Sequence, residues 1–167
     1  MALIGPKKAR RSNAKTAYDL LTDCTRYMLE EPLRVNMIDW SWRGKKRILS
    51  MITELNIRME GKRHRIPLLA PVCNTVGCIA GTGLILKGKR PRNECDAALT
   101  MFSGEPVTYS GYSSDHGLSH FQKALKNLFC NTDVAATYGT MKYAKIVVKR
   151  IRKFQKTYQD DLLAVSV

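Results

Sequence analysis

Acidic side chains are scarce in this sequence: 14 Asp and Glu stand against 28 Lys and Arg in 167 residues. The chain therefore cannot neutralise itself, and its net charge is +14. Long apolar runs are also missing. No stretch approaches the roughly 18 to 20 residues that span a bilayer, which speaks against a membrane-crossing helix. The opening residues place Lys7, Lys8, Arg10 and Arg11 after a short apolar stretch, without a signal-peptide core. The expected location is the cytoplasm. The five cysteines (Cys24, Cys73, Cys78, Cys95 and Cys130) are odd in number and irregularly spaced. That excludes a regular disulfide framework and reads as buried thiols in a reducing interior. No internal repeat and no helix-turn-helix, RNA-recognition, KH or zinc-ribbon signature is present.

What is there is enough apolar material for a core: 44% of the residues are hydrophobic. The expected fold is a single, compact, mainly α domain over 13–167, all α or α+β with at most a small sheet. A flexible basic arm over 1–12 precedes it. Ser12 or Asn13 is placed to cap a helix running to about Glu31, with Ala17, Leu20, Leu21, Cys24, Tyr27 and Met28 on one face. Leu33, Val35 and Met37 alternate with polar residues and predict a short extended piece. Ile48, Leu49, Met51, Ile52 and Leu55 fit a short helix, with a strand as the alternative. Thr75 is expected to open a helix through Leu86, in which Gly77 and Gly81 allow close approach of a neighbouring backbone. Gly83 and Gly88 count against that helix. Further helices are expected over 93–102, 118–129 and 140–158, with the apolar 162–167 packing back on the body.

A charge of +14 repels itself in a compact state, so an anionic partner is the economical explanation. The cations gather in three places. Lys45, Lys46, Arg47, Lys62, Arg63 and Arg65 fall in a charge-dense stretch; Lys87, Lys89, Arg90 and Arg92 form a loop around Pro91; the last helix carries the third group. At about 100° per residue, Lys142, Lys145, Lys149, Arg152, Lys153 and Lys156 form one stripe. Ala144, Val147, Val148, Ile151, Phe154 and Tyr158 form the opposite face. A merely solvated face would intersperse Glu at four-residue spacing, and this one has no acidic residue before Asp160. A phosphate backbone would make the stripe favourable. A basic amphipathic helix can also lie on an anionic membrane. The Val- and Ala-rich apolar face suits core packing better, so no membrane partner is expected. Tyr109, Tyr112, Trp40 and Trp42 are candidate base-stacking residues, although tryptophans beside an apolar connector also suit a core.

The most distinctive string is Cys73-Asn-Thr-Val-Gly-Cys78-Ile-Ala-Gly81, preceded by Val35-Asn-Met-Ile-Asp-Trp40. Together they resemble a group of small phage and bacterial proteins with an Asp-Met-x-x-Trp-like segment and a Cys-Gly-Thr-x-x-Cys-x-Ala-Gly motif. Here Asn74 replaces the first glycine of that motif, and Thr82 replaces the aromatic residue after the last one. The resemblance implies a phage or prophage origin, hence a host cytoplasm, and transfers no catalytic residue.

Physically the motif reads as packing. Two other chemistries stay open. A thiol at a helix N-terminus has a lowered pKa and becomes a nucleophile if His116 or His120 serves as its base. Cys73, Cys78, His116 and His120 are weak zinc candidates, because the two pairs have tolerable spacing and the histidines share a face if Gly117 is helical.

The leading expectation is a non-enzymatic, phosphate-contacting nucleic-acid-binding protein of low sequence specificity, with no cofactor, no catalytic residue and no assigned metal site. DNA and RNA are equally compatible with it. An alternative is a phage-encoded interaction or inhibitor protein that binds a host nucleic-acid-processing or defence complex. A zinc- or thiol-dependent enzyme is the third.

Overall fold

A computed structural model describes residues 11–37, 41–43, 45–58, 75–89, 94–107, 115–136 and 138–167. The first helix, α1 (Ala17–Glu30), starts where Thr16 Oγ1 accepts the Asp19 N–H at 3.1 Å and donates back to Asp19 Oδ2 at 2.9 Å. It starts later than expected because the residues before it have other partners. Ser12 donates its N–H to Leu86 O and its hydroxyl to Asp23. Thr16 bridges Ser166, while Ala17 N–H reaches Val165 O and Val167 N–H reaches Lys15 O. Pro32 ends the helix by holding Glu31 out of the α region, at φ −150° and ψ 104°. Residues 1–10 of the expected arm lie outside the described residues.

Only part of the Leu33–Met37 segment is extended. Pro32–Arg34 makes a 3-10 turn, on which the Arg34 guanidinium sits 4.2 Å from the Tyr27 ring centre. Val35 then bridges Gly77. A two-stranded antiparallel ribbon follows, β1 (Ser41–Arg43) with β2 (Thr75–Gly77), in which Trp42 is opposite Val76. The stretch read as helix or strand is a helix, α2 (Lys45–Arg58), packed on the ribbon.

Because Thr75 belongs to β2, it does not open the next helix. That helix, α3 (Ile79–Leu86), begins three residues on, capped by Cys78 Sγ, which accepts the Gly81 N–H at 3.4 Å. Every residue of α3 is buried, so it is the central element and needs no polar face. Its neighbours are α1, the ribbon, α4 (Glu94–Ser103) and α5 (His120–Cys130). The glycine of closest approach is Gly83: a Cβ there would lie 2.6 Å from Phe102 Cζ of α4. Gly88, at φ 68°, closes the helix in a Schellman turn, with Lys89 N–H to Leu84 O and Gly88 N–H to Ile85 O.

The long helix α6 (Met141–Thr157) lies chiefly against α1, and α7 (Gln159–Ala164) returns across α1 and α4. Leu162 and Val165 bury as expected of the apolar tail. The protein is mainly helical, in one compact domain with a small sheet. Among the described residues no helix is long and apolar enough to cross a membrane.

Candidate nucleic-acid interface

The rotation of α6 about its own axis decides what its charged face meets, and three polar anchors on its flanks fix that rotation. Near the start, Tyr143 is buried and its hydroxyl accepts the Met37 N–H at 3.1 Å. Midway, the Arg150 guanidinium donates to Asn131 O at 2.9 Å and to Asp133 O, tying α6 to the segment after α5. Near the end, the buried Gln155 amide donates to Tyr18 O at 3.0 Å and to Thr22 Oγ1 at 2.9 Å on α1. Phe154, Tyr158 and Phe121 cluster beside that anchor, with ring centres 4.6 to 6.2 Å apart. The helix opens on Thr140, whose Oγ1 accepts the Tyr143 N–H at 3.2 Å. With Ala144, Val147, Val148 and Ile151 also buried, the inner face is complete.

The outward face is the cationic stripe. Lys142, Lys145, Lys149, Arg152, Lys153 and Lys156 are all exposed. At 1.5 Å per residue the ridge from Lys142 to Lys156 is about 21 Å long. None of the six pairs with a carboxylate among the described residues. Asp23, Glu30, Glu31 and Asp115 instead meet Arg26, Arg34 (twice) and Lys126 at 2.9 to 3.4 Å. The hydrogen bond from Lys126 holds the Asp115 carboxyl below its ordinary pKa. Within the ridge, Lys145, Lys149 and Lys153 follow one another at four-residue spacing, as do Arg152 and Lys156. Such like-charge neighbours repel by a few tenths of a kcal/mol per pair. Lys142 adds a further penalty, because it sits in a first turn that holds no acidic residue, at the positive end of the helix dipole.

The other basic groups are less concentrated. Lys46 and Arg47 are exposed in the first turn of α2, which again holds no acidic residue; Lys45 begins that helix, but its side chain lies outside the described residues. Lys89 is exposed after α3. Lys62, Arg63, Arg65, Arg90 and Arg92 lie outside the described residues, as do Trp40, Tyr109 and Tyr112 and the side chain of Trp42. Thus the six α6 cations are brought onto one ridge, whereas Lys46 and Arg47 belong to a helix packed on the ribbon. Lys87, which looks in sequence like part of the same basic loop, is turned inward. Its Nζ donates to Ala14 O and Val167 O, both at 3.1 Å.

The thiol and zinc alternatives meet obstacles in the geometry. His116 occupies a turn and Gly117 has φ 81°, so the helix begins only at His120 and the two histidines do not share a helical face. Both are exposed, Cys78 is buried as the α3 cap, and Cys73 lies outside the described residues. Among the described residues no three His, Cys, Asp or Glu side chains gather to hold a metal ion. Burial, reinforced by Asp23, pushes the Cys24 thiol far above its ordinary pKa. Burial together with Cys130 pushes Cys95 up to about 11. Both shifts oppose the thiolate form at these two positions, neither of which belongs to the Cys73–Gly81 motif.

Two residues of the ridge escaped the reading of the sequence. Met141 and Ile146 flank Lys142, Lys145 and Lys149 around a shallow groove of about 460 Å³. Their signal was available as two large apolar residues at outward angles on an otherwise cationic face. No family model, curated protein or solved structure matches this chain.

Proposed function

We propose that this protein is a non-enzymatic, phosphate-contacting nucleic-acid-binding protein of low sequence specificity. The observation that carries the reading is the α6 ridge: six exposed cations along about 21 Å, without a carboxylate partner among the described residues. The anchors at Tyr143, Arg150 and Gln155 support it, because they hold the ridge outward at no cost to the cations on it. The sugar–phosphate backbone of a nucleic acid offers the missing anions in a regular row. Contacts of this kind position a strand without reading its bases, hence the low specificity. The resemblance of residues 35–81 to phage and bacterial proteins supports a phage or prophage source.

The test is a salt-titrated binding measurement with random-sequence DNA and RNA. Six phosphate contacts give a log–log salt slope of about −5, a loss of roughly a thousandfold between about 50 and about 200 mM salt. A chain that ignores both polymers in dilute buffer overturns the reading. A pull-down from host lysate with and without nuclease separates direct contact with nucleic acid from capture of a protein complex.

A further inference from the structure

We infer that the N-terminal half of the α6 ridge takes an unpaired polynucleotide strand, with a base resting on Met141 and Ile146 while the flanking phosphates meet Lys142, Lys145 and Lys149. This rests on the nucleic-acid reading above and narrows it to single strands.

Three observations meet here. First, Met141 is 42% exposed, one of two large hydrophobic side chains left exposed among the described residues, the other being Leu163 on α7. Second, the groove that it lines with half-buried Ile146 is also lined by Lys142, Lys145 and Lys149, whose ammonium groups meet no carboxylate among the described residues and whose aliphatic stems extend the apolar lining. Third, among the described residues no exposed aromatic ring stands on this helix. Phe154, Tyr143 and Tyr138 are buried, and Tyr158 is half-buried against Phe121. The thioether of Met141 is then the polarizable surface that a base face can use.

A duplex leaves this groove unused. Its outer surface presents sugar and phosphate, which satisfy the lysines but cover no apolar floor, and its bases face one another. A single strand brings both partners at once: phosphates for the cations and a flat apolar base for the floor. Single strands are commonly held by an electropositive track whose aromatic side chains stack on successive bases; here Met141 and Ile146 take the place of the rings. The contact with Met141 and Ile146 releases no counterions, so it adds affinity that salt does not remove.

The experiment compares single-stranded and duplex DNA and RNA of about 16 residues, the upper range of a single-strand site, across a salt series. The wild-type protein is set against Met141→Gln/Ile146→Gln and against Met141→Phe. The expected result is a single-strand preference that grows with salt. The double variant loses about tenfold of single-strand affinity with an unchanged salt slope and binds duplex as before, while Met141→Phe strengthens single-strand binding. Circular dichroism melts check that each variant is folded; Met141→Phe, at an exposed position, provides the test should the double variant not fold. Equal wild-type affinity for the two forms, or a double variant that keeps the preference, overturns this inference and leaves the ridge as a duplex-tolerant phosphate site. Absence of binding to every polymer overturns both.

Discussion

The Gln155 amide donates to Thr22 Oγ1 at 2.9 Å, joining the inner edge of α6 to the middle of α1 across 133 residues of chain. Thr22 in turn donates to Tyr18 O, which also accepts from Gln155. A polar side chain at 5% exposure within an otherwise apolar face is expensive unless satisfied, and here both contacts are made. Gln155→Leu therefore costs about 1–3 kcal/mol, the penalty for unpairing groups at a buried site. The urea midpoint should fall while the m-value holds. A variant as stable as the wild type would mean that apolar packing alone sets the rotation of α6.

Gly83 faces the Phe102 ring, and an added methyl would sit 2.6 and 2.7 Å from its Cζ and Cε2 atoms. Alanine is the better helix former by about 1 kcal/mol, so propensity alone predicts that Gly83→Ala stabilises α3. Overpacking costs about 1–3 kcal/mol and outweighs it. The expected outcome is a lower melting temperature, partly restored by Phe102→Leu in the double variant. A gain in stability would show that α4 yields at little cost.

Lys87 and the ridge separate charge from function. Lys87→Met keeps the aliphatic stem but removes both hydrogen bonds, to Ala14 O and Val167 O. Stability should fall by about 1–3 kcal/mol, and nucleic-acid affinity should not change beyond the loss of one distant charge. Equilibrium unfolding and the salt-titrated binding curve, measured on the same variant, check both halves.

How far the sequence foretold this depends on how local each cause is. The helix at 141–157 was legible nearly to the residue, because its apolar face and its cationic stripe both repeat at the helical period. The α2 segment was ambiguous as a short apolar run, and one of the two strands it packs on, β2, comes from residues 75–77 beyond it in the chain. The start of α3 was misplaced because Thr75 is a good cap by type, yet Val76 pairs with Trp42 and hands the capping role to Cys78. Gly83 reads as a helix breaker until Phe102 is beside it. Lys87 and Arg150 look like surface cations, and only the fold brings up the carbonyl groups of Ala14, Val167, Asn131 and Asp133 that they bind.

Alkaline conditions should weaken the fold through its thiols. Folding keeps Cys95 neutral, with its pKa raised from 9.0 to about 11, mainly by burial. Above about 9 the unfolded chain releases a proton that the folded chain retains, so the unfolded state binds fewer protons and stability falls with pH. The contribution is full below about 9 and is lost as pH climbs to about 11. Cys24, raised by burial in the same direction, adds to the effect. Cys95→Ala should flatten the decline in urea midpoint over that window relative to the wild type. Parallel curves for the two proteins would remove Cys95 as a cause.

Lys149→Glu sets the two explanations of the ridge against each other. Position 149 is exposed, with Lys145 four residues before it, Arg152 three after and Lys153 four after. A carboxylate there replaces repulsions by attractions worth about 0.2–0.5 kcal/mol each, the order with the acid N-terminal to Lys153 being the better one. If the ridge were only a solvated surface, the change would raise stability and alter nothing else. If phosphate lies against it, the same change removes one contact and repels its neighbours. Binding then weakens in low salt, and the salt slope shrinks by at least about one. The expected outcome is a protein slightly more stable and clearly poorer at holding nucleic acid. Such opposed signs are the mark of a surface kept unfavourable for its function. Stability and affinity that both stay at wild-type values would remove α6 from the interface.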